Sequence, residues 1–421
     1  MMKRSRFKWR SCCKWPGQGV ERAFGVDRAE YPGYSSLTPL METPAPITTA
    51  VAPRSDRLLS LDALRGFDLF WIIGGHRIVL ALLALTGWGW LATVDTQLGH
   101  VAWNGFHFED LIFPLFLFMA GVSTPYSLAQ RLTEGARSEV CRKIVRRGLI
   151  LVLLGVVYNN GLQWKGLENM RFGSVLGCIG LAGMFAQLIF AFNHEVPKRL
   201  WYWVAGVLLS YWAIMSFGHA PGFAPGDLTM EGNFASYVDR LIMPGRLHLK
   251  IHDPEGLLAV LPAIGNALLG ILAGLWLRRP SSEVSGNRKA AGLIVAGLAL
   301  LAGGYVWDAV FPINKNLWTS SFALWTCGWS ALLLGLFYWF IDVRGWLRGL
   351  GAFFAVIGMN SILIYMAGKF INFDYTAQAL FGGLAKLLPA GWGALLLAIG
   401  FIMVEWTLLW CLKRQKLFLK V

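Results

Sequence analysis

Charge is what this sequence has least of. Only 15% of its 421 residues are Asp, Glu, Lys or Arg, against about 25% in an average soluble domain. A chain so poor in charge cannot cover a water-facing surface of its own size. The six cysteines (Cys12, Cys13, Cys141, Cys178, Cys327, Cys411) form no CxxC pair and no zinc-type spacing, so neither a disulfide framework nor a structural metal site is indicated. A phosphate-binding Gly-x-x-x-x-Gly-Lys loop, His-Glu-x-x-His and Gly-x-Ser-x-Gly are all missing. ATP-driven transport, zinc proteolysis and α/β-hydrolase chemistry therefore lack support. The short alternating segments of a membrane β-barrel are missing too.

What the chain has instead is apolar length. Hydrophobic side chains make up 56% of it, gathered into runs near 62–85, 109–129, 144–160, 173–193, 199–216, 255–277, 290–311, 318–341, 352–371 and 391–412. About 20 apolar residues in a helix cross a hydrocarbon core of ~30 Å, and a helix satisfies its own backbone where lipid cannot. Twenty Trp and 48 Gly suit interfacial belts and close helix contacts. The expected fold is all-α: a polytopic transmembrane bundle of about ten helices in a lipid bilayer.

Residues 1–56 are of another kind, basic and rich in Pro, Gly, Ser and Thr, without the apolar stretch of a signal peptide. They read as a disordered tail, or as an over-extended gene start with the natural one nearer Arg57. Residues 57–421 read as one transmembrane domain. Net charge is +14, but no basic patch is interleaved with a base-stacking platform, so no nucleic-acid partner is expected. Basic residues orient the bundle instead. With the N-terminus cytoplasmic, 29 of the 38 Lys and Arg fall in inner segments, as the positive-inside rule requires.

Two outer segments are long, 86–108 and 217–254, and hold Trp, His and carboxylates. His100 stands in Gly99-His100-Val101-Ala102-Trp103-Asn104-Gly105, ten residues before Asp110. A neutral imidazole there can take a proton from an amine or hydroxyl, or carry an acyl group; an interfacial His bonded to headgroups or backbone fits as well. Asp62, Arg65 and Asp68 form a charged group at the inner end of the first helix, with His76 and Arg77 further along. Ionisable groups inside a membrane helix are functional candidates, with a buried pairing network as the plainer account. Asp253 precedes Pro254 and Glu255 at a helix start, which suits capping or a cationic ligand. Asn314-Lys315-Asn316-Leu317-Trp318 is a tight outer turn, and Asn360-Ser361 lies mid-helix.

Five segments in order, Ser60–Asp68, His100–Gly121, Asp253–Gly256, Asn314–Trp318 and Gly358–Tyr365, resemble the heparan-α-glucosaminide N-acetyltransferase family of membrane acyltransferases and its bacterial relatives. That resemblance implies transfer of an acetyl group from cytosolic acetyl-CoA to an amino-sugar acceptor across the membrane. It also implies His100 as the active histidine, as base or acyl carrier, and a homodimer. On that basis Asp110 would orient His100, and Asn104 and Asn360 would donate to the oxyanion. Arg65, Arg146 and Arg147, with Arg278 and Arg279, would draw the CoA phosphates, and Asn360 and Ser361 would line the donor's path. Trp103 would stack on the sugar, and Asp253, Glu255 and Asn316 would hold its hydroxyls or amine. No metal is expected, and the expected compartment is a bacterial inner membrane. A secondary transporter of a sugar or anionic solute is the rival reading, weakened because no inverted repeat is visible.

Overall fold

The computed structural model describes residues 58–419, so the expected basic tail lies outside the described residues. The helices run in order: α1 (Leu59–Phe70), α2 (His76–Thr86), α3 (Gly89–Gln97), α4 (Ile112–Thr133), α5 (Arg137–Asn160), α6 (Val175–Asn193), α7 (Arg199–Phe217) and α8 (Phe234–Ile242). Then come α9 (Val260–Leu277), α10 (Gly286–Asp308), α11 (Ser320–Phe337), α12 (Arg348–Gly358), α13 (Ser361–Phe370), α14 (Phe373–Leu387) and α15 (Trp392–Arg414). Among the described residues the only β pairing is a single bridge between Arg171 and Gly245.

Eight helical stretches are long and apolar enough to cross a membrane: Leu59–Thr86, Phe108–Thr133, α6, α7, α9, α10, Ser320–Val343 and α15. The pair α12 and α13, bent by 58°, makes a ninth if it is one broken span. The remaining expected run, 144–160, falls inside α5, whose 24 residues would extend about 36 Å at 1.5 Å each. Its first turns carry Arg137, Arg142, Lys143, Arg146 and Arg147, which leaves only the stretch from Gly148 onward apolar.

Close helix contacts rest on glycine. A Cβ on Gly121 of α4 would run into the Ala267 carbonyl of α9, and one on Gly270 into that of Phe118. Small residues let helix backbones approach where the hydrophobic effect cannot drive association. The two largest apolar cores take in most of the helices. The larger joins α1, α4–α7 and α9–α11 around Leu64, Leu117, Phe118, Leu268 and Phe322. The smaller joins the end of α1 to α12, α13 and α15 around Ile357, Ile364, Phe401 and Leu409.

The loops after α3 and after α10 meet at one end of the bundle, where the Gly105 N–H donates to the Ile313 carbonyl at 2.8 Å. The segment between α7 and α9 reaches the same end, since Trp103 Nε1 donates to Leu228 O at 2.9 Å. This is the His100 end.

Candidate active site

His100 is held out from the bundle by local bonding that the sequence makes easy to see in retrospect. Gly105 turns at φ +117°, a conformation natural to glycine. The His107 ring donates from Nδ1 to the Gly99 carbonyl at 2.9 Å, and the Phe108 N–H donates to Gln97 Oε1 at 3.2 Å. These bonds fold residues 97–108 into a compact loop over the start of α4. Asp110 is 1% exposed, and its Oδ2 accepts the His107 N–H at 3.0 Å.

The imidazole of His100 remains 56% exposed, with Nδ1 2.9 Å from Asp110 Oδ1. A carboxylate in that position fixes the tautomer with the proton on Nδ1. Nε2 then keeps its lone pair, and Lys315 Nζ stands 3.1 Å from it, 2.9 Å from Nδ1 and 3.4 Å from Asp110 Oδ1. Burial lowers the Lys315 pKa, and the Asp110 and Glu255 carboxylates hold back part of that shift.

Lys315 arrives from 215 residues away on a rigid turn. Asn314 Oδ1 accepts the Leu317 N–H at 2.9 Å, and the Thr319 N–H donates to Asn314 O at 3.1 Å. Trp318 takes a left-handed backbone, φ +49°, which costs a non-glycine residue about 1–2 kcal/mol. Its side chain offsets that: it is 1% exposed, packs edge-on against Phe113 at 4.6 Å between centroids and donates to Asn266 Oδ1 at 3.0 Å. The turn is also tied to the His100 loop, because Asn314 Nδ2 donates to Asn104 Oδ1 at 2.9 Å.

A second charged cluster lies in the neighbouring loops. Asp253 is 1% exposed and receives Arg171 as a fork, Nε to Oδ2 at 3.0 Å and Nη2 to Oδ1 at 2.8 Å. The N–H groups of His248 and Glu255 donate to the same carboxylate, and Arg171 also bonds Glu255. Burial alone would raise Asp253, but the Arg171 fork and the backbone donors outweigh it and hold its pKa below the ordinary value. Burial pushes Glu255 upward, with Arg171 opposing and the Asp253 charge adding to the rise. Next to them His252 is 1% exposed. Its Nε2 donates to Asn316 O at 3.0 Å, its Nδ1 accepts from Ser236 Oγ at 2.7 Å, and Trp103 packs edge-on at 5.4 Å. Burial depresses its pKa to about 4, so the ring is neutral near pH 7. Burial raises Asp239, in α8, to about 6.

The residues singled out from sequence thus divide. His100, Asp110 and Asn104 share one loop, with Asn316 beside it through Nδ2 to Ala102 O at 3.4 Å. Trp103 is half-buried and docked on His252 and Leu228 rather than standing free. Asp253 and Glu255 are engaged by Arg171. Arg65 is docked on α4 through Met119 O and Ser123 Oγ, with Asp62 at 3.9 Å, while Arg146 and Arg147 stand exposed on α5. Asn360 caps the break between α12 and α13, its amide donating to Leu417 O and accepting the Leu419 N–H, both at 3.1 Å. Ser361, the first residue of α13, is half-buried. Sequence reasoning did not connect Lys315 or Arg171 to these carboxylates. Lys315 was visible as the one charge in the tight turn, and Arg171 only as an outer basic residue. Among the described residues no group of three His, Cys, Asp or Glu could hold a metal ion.

The sequence model of a family described as heparan-alpha-glucosaminide N-acetyltransferase, catalytic, matches residues 57–310. Two curated relatives carry the name heparan-alpha-glucosaminide N-acetyltransferase. The Mus musculus protein is 29% identical over 384 residues, 78% of this chain and 56% of its own length. The Homo sapiens protein is 27% identical over 389 residues, 79% of this chain and 56% of its own. The chain spans little more than half the length of these relatives. Because the family match takes in more than half of the 421 residues, and the His100–Asp110 loop within it, this chain belongs to the heparan-alpha-glucosaminide N-acetyltransferase catalytic family.

Proposed function

We propose that the chain transfers an acetyl group from acetyl-CoA to the amine of a glucosamine-type sugar at the His100 end of the bundle. The observation that carries this reading is the trio of Asp110, His100 and Lys315, brought together from two loops on an exposed face. Nε2 of His100 takes a proton from the sugar amine as its nitrogen attacks the acetyl carbonyl. Alternatively Nε2 accepts the acetyl group first and passes it to the amine. In either order the C–S bond breaks, a C–N bond forms, and the CoA sulfur leaves with a proton. Asp110 keeps the proton on Nδ1 and stabilises the imidazolium as it forms. The Lys315 ammonium swings from Nε2 to the carbonyl oxygen and stabilises its developing charge, a contribution of a few kcal/mol when the donor is already in place.

The donor's route is part of the same proposal. Acetyl-CoA approaches from the cytoplasmic side, the end rich in Lys and Arg, where Arg65, Arg146 and Arg147 attract its phosphates. The polar face of α1, with Asp62, Arg65 and the wholly buried Asp68, runs from there toward the His100 end.

The test is release of free CoA from acetyl-CoA by purified protein supplied with an amino sugar. Release that depends on the sugar and is lost in His100→Ala supports the reading. Full turnover by His100→Ala would falsify it.

A further inference from the structure

Away from the His100 trio, the structure holds a polar cavity of about 450 Å³. It is lined by Arg77, Tyr158, Tyr365, Lys369, Asp374 and Glu405 among others, residues from the α1–α2 stretch, α5, α13, α14 and α15. Its size falls in the range of about 300–1,000 Å³ common to small-molecule sites.

Two irregular spans border it. The α1–α2 stretch opens into a π-turn at Trp71–Gly75, with Gly74 at φ +137°, and Ile72 and Ile73 of that turn line the cavity. The α12–α13 span bends by 58°, and α13 contributes Tyr365 and Lys369. Single π-turns inside helices gather at functional sites, and discontinuous membrane helices supply binding sites in other membrane folds.

The polar groups of the cavity are unevenly satisfied. Arg77 forks onto Asp374 and lies 4.1 Å from the centre of the Phe401 ring. Lys369 Nζ sits 5.8 Å from the centre of the Tyr158 ring. Glu405 is different. It is 2% exposed, and its Oε2 has no hydrogen-bond partner among the described residues. A carboxyl oxygen buried in the hydrocarbon zone without a donor is costly and rare. Tyr158 and Tyr365, stacked on one another at 4.5 Å and 15°, line the same cavity.

These features select the occupant. An apolar chain would leave Glu405 unsatisfied. An anion without a donor would leave Glu405 unsatisfied as well, and Arg77 is already held by Asp374. A group bearing an ammonium and hydroxyl donors, with a flat apolar face for the tyrosines, meets every requirement, and an amino-sugar ring is such a group.

We propose that this cavity is a second sugar subsite, which takes a hexosamine unit with its ammonium against Glu405 and its ring against the Tyr158–Tyr365 pair. His100 does not line this cavity, so the hexosamine taken here is a second unit of the acceptor and not the reacting one. The identity of the ligand rests on the acetyl-transfer reading, and the existence of the site rests on the cavity itself.

The test uses the purified full chain in detergent and two probes: the β-1,4-linked disaccharide of glucosamine and its di-N-acetylated form. Titration calorimetry should show the free-amine disaccharide binding the parent at least ten times more tightly than Glu405→Gln. The acetylated probe should bind parent and variant alike, and weakly. Tyr365→Leu should also lose several-fold in affinity for the free amine, which guards against misfolding of a single variant. Equal affinity of parent, Glu405→Gln and Tyr365→Leu for the free-amine probe overturns the proposal. CoA release by the parent is measured in parallel. If it is absent while binding depends on Glu405, the transfer reading fails and the subsite stands. If it is present while binding ignores Glu405, the subsite fails and the transfer reading stands.

Discussion

Two carboxylate clusters sit side by side at the His100 end, built from the same residue types and finished differently. Asp253 is saturated: a guanidinium fork and two backbone N–H groups occupy its oxygens. Asp110 is buried as deeply, yet it spends one oxygen on the 56% exposed imidazole of His100. Saturation with well-aimed donors makes a clamp that fixes loops. A buried carboxylate bonded to an exposed ring makes a handle on that ring's tautomer and charge. The difference between structure and chemistry here lies in the partner, not in the acid.

The sharpest way to break that comparison is to remove each partner in turn. His100→Ala should lower sugar-dependent CoA release by about 10²–10⁴-fold, the usual worth of a positioned acid–base group, while the melting temperature in detergent stays close to the parent's. Arg171→Met should do the reverse. It strands the buried Asp253 carboxylate and the half-buried Glu255, a loss of about 3–5 kcal/mol, and should be read as a large drop in melting temperature and yield, with Arg171→Lys recovering part of it. An Arg171→Met protein as stable as the parent would show that the clamp is no clamp.

A smaller effect is expected at Lys315. Lys315→Met should cost about 10²-fold in turnover, comparable to losing one oxyanion donor, with Lys315→Arg recovering some of it. Turnover of Lys315→Met at the parent rate would leave the lysine a bystander to the imidazole.

The smallest effect is in the pH dependence of stability, where two buried groups oppose one another. His252 titrates near 4 in the folded chain and near 6.5 when unfolded. The unfolded state binds the extra proton between those values, so this group makes stability rise with pH across about 4–6.5. Asp239 titrates near 6 when folded and near 3.9 when unfolded. Here the folded state holds the extra proton, so stability falls as pH rises from about 4 to 6. Asp239→Asn removes the second trend. Between pH 4.5 and 5.5 the variant should gain about 1 kcal/mol per pH unit relative to the parent. Thermal melts at the two pH values measure this, and parallel curves for both proteins would contradict it.

Much of the bundle was legible because membrane helices announce themselves by apolar length. The exceptions are instructive. α5 begins at Arg137 rather than near 144, because its first two turns are basic and carry no apolar signal. α14 was invisible, since Asn372, Gly382, Gly383 and Pro389 punctuate the interval as a loop would. In the structure Asn372 instead caps that helix by accepting the Tyr375 N–H at 3.0 Å. The His100–Asp110 pair was legible because both members lie ten residues apart in one loop. Lys315 and Arg171 were not, because they reach their partners across 215 and 82 residues, and no local pattern encodes a contact of that range.

The turn that carries Lys315 is rooted in the apolar interior by Trp318, whereas most loops that bear reactive groups float over their scaffold. The Lys315 side of the site should therefore not melt independently of the bundle. On gradual heating, the temperature at which activity disappears should coincide with the temperature at which the main core comes apart, and no inactive but otherwise intact form should accumulate below it.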